Sequence, residues 1–180
     1  MEHLLDVRDL SITYLNKSRN VQAVRHVNFT IDKGDSLGLV GESGSGKSTL
    51  AMGMLRILPQ ESIQMTGSAL FMGKDLVTIS DEEMNKLRWK EIAVVFQKAM
   101  NSLSPVHRIG TQIEDIYHVH EPKATKKEIH DRTMELLKLV NMPERVYKLY
   151  PHEMSGGMLQ RVAIVISLLH NPKLLVFDEA

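Results

Sequence analysis

At 180 residues, with 43% hydrophobic and 24% charged residues, the chain fits one ordinary globular domain or most of a slightly larger one, and its composition excludes a disordered class. Its 22 Lys plus Arg cancel its 22 Asp plus Glu, which argues against a dedicated nucleic-acid binder, and with no cysteine it holds no disulfide and no Cys-ligated zinc or iron–sulfur site. No run approaches the roughly 18 apolar residues of a membrane span, and Met1-Glu2-His3-Leu4-Leu5-Asp6 carries acids where a signal peptide wants a basic region, so any membrane role is expected to run through a partner.

Two partly alternating, β-branched stretches come first, Leu4 to Tyr14 and Val21 to Ile31, separated by the polar Asn16-Lys17-Ser18-Arg19-Asn20. A hairpin is the simplest arrangement. Ser36-Leu37-Gly38-Leu39-Val40 is a short apolar run leading into glycines, and Ser48 to Leu58 then predicts a helix stopped by Pro59. Strand, glycine loop and helix in that order begin a βαβ unit. Ser80-Asp81-Glu82-Glu83 matches a capping box that opens a helix toward Trp89. Ile92 to Phe96 is the continuous apolar run of a strand covered on both faces. From Asn101 to Leu149 the pattern turns helical. Thr125-Lys126-Lys127-Glu128 is a second capping box, after which Ile129, Thr133, Leu136, Leu137 and Val140 share one helix face. A last helix is predicted over Gly157 to His170, then a buried strand over Leu174 to Phe177. The whole reads as a parallel α/β core with a β hairpin before it and a helical insertion within it. His118-Val119-His120-Glu121 reads as a solvated helix end, because residues two apart do not share a helix face.

The strongest chemical signal is Gly41-Glu42-Ser43-Gly44-Ser45-Gly46-Lys47-Ser48, which matches the G-x-x-x-x-G-K-[ST] phosphate loop. Glycines let consecutive backbone N–H groups converge on phosphate oxygens that side chains would obstruct. The helix that follows aims its positive dipole end at the same anion. Lys47 adds a full charge on the β- and γ-phosphates, and the Ser48 hydroxyl suits Mg²⁺. The nucleotide-contacting set is completed by Thr49. At the end of the last strand, Asp178 suits the Mg²⁺ shell and Glu179 suits a general base or water-positioning group. Ligands of open α/β sheets bind at the carboxyl ends of strands, which brings these two acids beside the phosphate loop.

Met154-Ser155-Gly156-Gly157-Met158-Leu159-Gln160-Arg161 resembles the signature motif of ATP-binding-cassette (ABC) ATPases, and it precedes the Asp178–Glu179 strand as in that family. Ser155, Gly156 and Gly157 form a second helix N-terminus able to hold a phosphate. The resemblance implies that this phosphate belongs to ATP on an opposite subunit, in a head-to-tail pair with two-fold symmetry. It also implies that Gln97, ending the Ile92–Phe96 strand, contacts Mg²⁺ and the attacking water, and that Tyr14 stacks on adenine.

Over essentially the whole chain the resemblance is nearest to the dipeptide, oligopeptide and nickel importer branch. It is carried there by Gly38 to Gly44, Asn101-Ser102-Leu103-Ser104-Pro105 and Tyr150 to Met158, while Leu159, Phe177 and Ala180 depart from the branch. The implied fold is a P-loop NTPase core, a RecA-like parallel sheet, with an antiparallel β subdomain over 1–35, the nucleotide-binding core over 36–100, a helical subdomain over 101–170 and the acid-bearing strand over 171–180. The implied protein is the ATP-binding and hydrolysing subunit of a peptide importer, with ATP and Mg²⁺ as ligands. Its implied partners are a second ATPase subunit, membrane permease subunits that dock on the segment after Gln97 through Pro105, and indirectly a substrate-binding protein; its implied place is the cytoplasmic face of the cell membrane. The family also implies more chain after Glu179, so the sequence is expected to be the front part of a longer domain, and this part is expected to bind nucleotide but to hydrolyse it poorly. A soluble cassette ATPase acting on the ribosome or DNA, and a nucleotide-binding module without turnover, are the alternatives.

Overall fold

The apolar alternation at the start of the chain builds the first sheet. In the computed structural model, which describes residues 3–96 and 103–178, β1 (Leu5–Tyr14) and β2 (Val21–Ile31) pair antiparallel, in the hairpin expected from the sequence. β3 (Ile63–Phe71) lies on the other side of β1, and β4 (Lys74–Asp75) completes the order β2-β1-β3-β4. Leu5, Val7, Leu10 and Ile12 are buried on the central strand. The sheet is kinked where Asp9 (φ 50°) and His26 (φ 47°) take left-handed conformations and the register shifts. Asp9 holds the kink through its side chain, with Oδ1 2.7 Å from His26 Nδ1, and its N–H donates to Asn28 Oδ1.

The chain divides into two units, Met1–Asn85 and Lys86–Ala180. In the first, α1 (Lys47–Met54) lies on β1: a Cβ on Gly53 would stand 2.5 Å from Ile12 Cδ1, so the Ile12 side chain packs against the helix where glycine leaves it room. The helix ends before Pro59. Arg56 has φ 52°, its N–H donates to Gly53 O, and the Ile57 N–H donates to Met52 O, which is a Schellman end that satisfies the last carbonyls. The Arg56 guanidinium then reaches Ile79 O and Asp81 Oδ1, at the start of α2 (Asp81–Leu87), whose Ser80–Glu83 capping box forms as expected.

One expected strand does not form. Residues 36–40 run as irregular chain and are exposed, Val40 at 97%. A strand exists through ladder bonds to a neighbour, and among the described residues none pairs with this run.

The second unit holds a parallel pair, β5 (Ile92–Phe96) and β6 (Leu174–Asp178), in register from Ile92↔Leu174 to Phe96↔Asp178. Only Leu174 of β6 is buried, and Phe177 is 52% exposed, not covered as the apolar run predicted. Its one hydrogen-bonded neighbour among the described residues is β5. Around a separate core stand α3 (Ile109–His120), α4 (Lys126–Leu139) and α5 (Gly156–Leu168). Ile113, Ile129, Leu137, Val146, Val162 and Val165 are fully buried there. The predicted face of α4 is the buried one, except that Val140 caps the helix. The reciprocal Thr125–Glu128 bonds start α4, and Asn141 (φ 53°) ends it with the Met142 N–H donating to Leu137 O. Arg132 donates to Leu168 O and Leu169 O and so ties α4 to the carbonyl end of α5.

At the end of α3, the rings of Tyr117 and His120 meet His170, at centroid distances of 4.6 and 5.2 Å, and His170 Nε2 is buried without a hydrogen-bond partner. Burial lowers the pKa of both histidines, and for each the nearby Lys90 charge adds to the effect, against Glu121; Arg132 also disfavours a charged His170. A lowered folded pKa means that the unfolded chain binds more protons below about 6.5, so stability falls as pH drops through that value. Urea unfolding between pH 7.5 and 5.5 is expected to show this decline, and His170→Asn is expected to flatten it; an unchanged slope in the variant would rule out His170 as its source.

Candidate functional site

Gly46 is the hinge on which the phosphate loop turns. Its φ of 94° lies in the left-handed region, and a Cβ there would stand 2.5 Å from the backbone oxygen of Ala23 on β2. Glycine alone meets both demands. Gly44 is also left-handed (φ 81°), and the Ser45 N–H donates to Glu42 O, so Glu42, Ser43, Gly44 and Ser45 make a tight, exposed turn. Gly41 has its own constraint, because a Cβ there would lie 2.8 Å from Ser45 Oγ.

The loop delivers the chain into α1, whose N-cap is Gly46. This N-cap makes no side-chain hydrogen bond to the helix and no acid occupies the first turn. That differs from α4, where Thr125 caps and Glu128 lies in the first turn. An uncapped helix start presents backbone N–H groups and the positive end of the helix dipole, which suit an anion. Lys47 opens the helix and folds back over the loop, with Nζ donating to Gly41 O (2.8 Å) and Glu42 O (2.9 Å). The ammonium is thus held at the loop by weak neutral acceptors, which an anionic oxygen outcompetes. Ser48 and Thr49 follow on the first turn. The Thr49 hydroxyl is 3.1 Å from the Tyr14 hydroxyl, at the end of β1.

The other candidate residues lie in the second unit. Asp178 ends β6 opposite Phe96, at the carboxyl ends of two parallel strands. Gln97 and Glu179 each follow one of these paired residues, and both lie outside the described residues. Ser155 is the N-cap of α5: its Oγ accepts from the Met158 N–H at 3.3 Å, and Ser155, Gly156 and Gly157 are all exposed. Gly157 has open space where a side chain would stand. The Tyr150 N–H donates to Glu153 just before this turn and steadies its approach.

Sequence reasoning named these residues but not what supports them. The backing of Gly46 by Ala23, and the hydroxyl pair joining Tyr14 to Thr49, connect positions far apart in the chain. No local pattern signals either.

The model of the ABC transporter family matches residues 24–180. The chain is 46% identical over 179 residues to the oligopeptide transport ATP-binding protein OppD of Bacillus subtilis, covering 98% of this chain and 50% of that protein. It is 42% identical to the probable peptide ABC transporter ATP-binding protein y4tR of Sinorhizobium fredii, covering 98% of this chain and 53% of that one. The chain therefore spans about half the length of these curated relatives. Among solved structures, the dimeric post-hydrolysis state of the ATP-binding cassette MJ0796 bound to ADP and Pi superposes with a TM-score of 0.83 at 28% identity, over 97% of this chain and 73% of that one. The cbiO1 protein of Clostridium perfringens, part of the ABC transporter complex cbiONQ, gives 0.77 at 29% identity, over 99% of this chain and 66% of that one. These likenesses establish the cassette fold expected from the sequence.

Replacing Gly46 by Ala forces a left-handed side chain against the Ala23 carbonyl, a strain of about 2 kcal/mol or more. Urea unfolding of Gly46→Ala should show at least that loss, and a variant as stable as the parent would contradict the backing of the loop by β2.

Proposed function

The chain belongs to the ABC transporter family, and from that premise we propose that it is the ATP-binding and hydrolysing subunit of a peptide importer. The observation that carries this reading is the uncapped start of α1, with Lys47 reaching back over a glycine turn. In this reading it is a polyphosphate cradle built from backbone N–H groups and the Lys47 ammonium. The names of the Bacillus subtilis and Sinorhizobium fredii relatives, both concerned with peptide transport, favour an importer over a cassette acting on the ribosome or DNA.

In this reading Gly41, Glu42, Ser43, Gly44, Ser45 and Gly46 present their backbone to the phosphates, and Lys47 exchanges its two carbonyl partners for β- and γ-phosphate oxygens. The Tyr14 ring stacks on the base. The donor set fits Mg²⁺, with a hydroxyl (Ser48), a carboxylate (Asp178) and an amide oxygen (Gln97), all of them hard oxygen ligands. The bound ion would supply charge neutralisation on the phosphate oxygens. Glu179 orients or deprotonates the attacking water, and Gln97 helps to hold it. Ser155, Gly156 and Gly157 of one subunit meet the γ-phosphate held by the other, which makes the active unit a head-to-tail pair. The dimeric state of the superposed cassette supports that arrangement.

No helix among the described residues is long and apolar enough to cross a membrane. In this reading coupling to transport runs through permease subunits, with this subunit peripheral on the cytoplasmic face and a substrate-binding protein contributing indirectly. The peptide carried is selected by those partners.

The test is Mg-ATP binding and hydrolysis by the chain beside Lys47→Ala. A charge-assisted contact of this kind contributes about 1.5–3 kcal/mol, so the variant should bind at least about tenfold more weakly. A folded parent chain that binds no nucleotide, or binds equally well without Lys47, would sink the reading.

A further inference from the structure

Tyr14 closes β1 and is fixed from both sides, in register with Val21 on β2 and Ile63 on β3. Thr49 lies in the first turn of α1, which is held against β1 at Gly53 and against β2 at Gly46. The two hydroxyls therefore meet at 3.1 Å between elements that have little room to move. Both residues are half-buried. A phenylalanine and a valine would fill the same space, so packing alone does not account for the hydroxyl pair.

A hydroxyl carries one proton and two lone pairs. A phosphate oxygen without a proton only accepts. For Thr49 to serve a phosphate, its proton must go there, and its bond to Tyr14 must then be accepted from the phenol. A phenolic O–H is the stronger donor of the two, so this direction is the favoured one. Donation into the Thr49 oxygen also polarises its O–H toward a second acceptor, as bonded hydroxyl chains do.

We propose that Tyr14 is a positioning residue for phosphate recognition, acting through the Thr49 hydroxyl and separately from any stacking of its ring on a base. The inference rests on the nucleotide-binding reading of the phosphate loop and adds to it a link between the base end and the phosphate end of the site. Through this link the end of β1 and the first turn of α1 respond together to polyphosphate.

The test separates phosphate from base by using Mg-tripolyphosphate, which has no ring to stack, beside Mg-ATP. Tyr14→Phe keeps the ring and removes the hydroxyl, Thr49→Val removes the acceptor, and Thr49→Ser keeps it. A single hydrogen bond contributes a factor of about 3 to 10 in affinity. Tyr14→Phe and Thr49→Val should each weaken tripolyphosphate binding by at least that factor, the double variant should bind no worse than Thr49→Val, and Thr49→Ser should regain part of the affinity that Thr49→Val loses. Tripolyphosphate affinity untouched by Tyr14→Phe, or losses that multiply in the double variant, would overturn the proposal. So would an affinity loss that only tracks a fall in the ligand-free unfolding midpoint. Binding that depends on Lys47 but ignores Tyr14→Phe sinks this inference alone, whereas a folded parent that binds neither ligand sinks the nucleotide reading with it.

Discussion

The backbone at Gly46 turns left-handed with its α-carbon against the Ala23 carbonyl, and the first unit is organised around that contact. A side chain at this point would either reverse the turn or push α1 off the sheet. With glycine there, the chain leaves its loop at the angle that lays α1 on β1, where Gly53 allows a second close approach, onto Ile12. Two glycines seven residues apart thus hold one helix to two strands. The hydroxyls of Tyr14 and Thr49 come within bonding distance as a result.

This arrangement has an energetic cost that the rest of the unit offsets. A helix of eight residues is marginal by itself. The absence of a side-chain cap forgoes a contribution of about 1 kcal/mol. Tertiary burial compensates: Leu50, Ala51, Met52 and Met54 are all buried, and the Schellman end at Arg56 satisfies the far carbonyls. The helix is stabilised along its body and its far end and left bare at its start. That is the distribution expected of an anion site, because a capped and acid-bearing start would compete with the ligand. The N-terminus of α4, with Thr125 and Glu128 bonded to each other's backbone, illustrates the opposite design, in which the helix start is already satisfied.

The second unit is organised by apolar packing of three helices, with polar ties at their ends. Arg132 bonds the last carbonyls of α5, and the Tyr147 hydroxyl donates to Glu114; burial, and then this bond, raise the Tyr147 pKa. Gly110 lies against the Tyr147 ring, leaving no room for a side chain on that face of α3. Beside this core, β5 and β6 bring Phe96 and Asp178 into register at their carboxyl ends.

Features encoded within a few residues were legible in the sequence. The glycine spacing before Lys47, the Thr125–Glu128 and Ser80–Glu83 boxes and the Ile129–Leu137 face each specify their own local backbone. Other features needed the tertiary structure. β3 is not legible locally because Thr66, Gly67 and Ser68 interrupt its apolar pattern, and its place beside β1 depends on pairs running from Tyr14↔Ile63 to Leu5↔Phe71, far apart in the chain. Gly67 is there because Asp9 kinks the neighbouring strand beneath it, a reason that no window around Gly67 contains. The end of α1 at Arg56, ahead of Pro59, followed from carbonyls finding donors in a Schellman turn. The run at 36–40 reads as a strand by composition, yet a strand requires a hydrogen-bonded neighbour, and composition does not supply one. By itself the sequence determined the local conformations and the chemistry at Gly41 to Thr49, since dihedral preference and side-chain type act within a few residues. Only the tertiary structure decided which distant groups meet, as with Gly46 and Ala23 or Tyr14 and Thr49, because those contacts are set by how buried surfaces close upon each other.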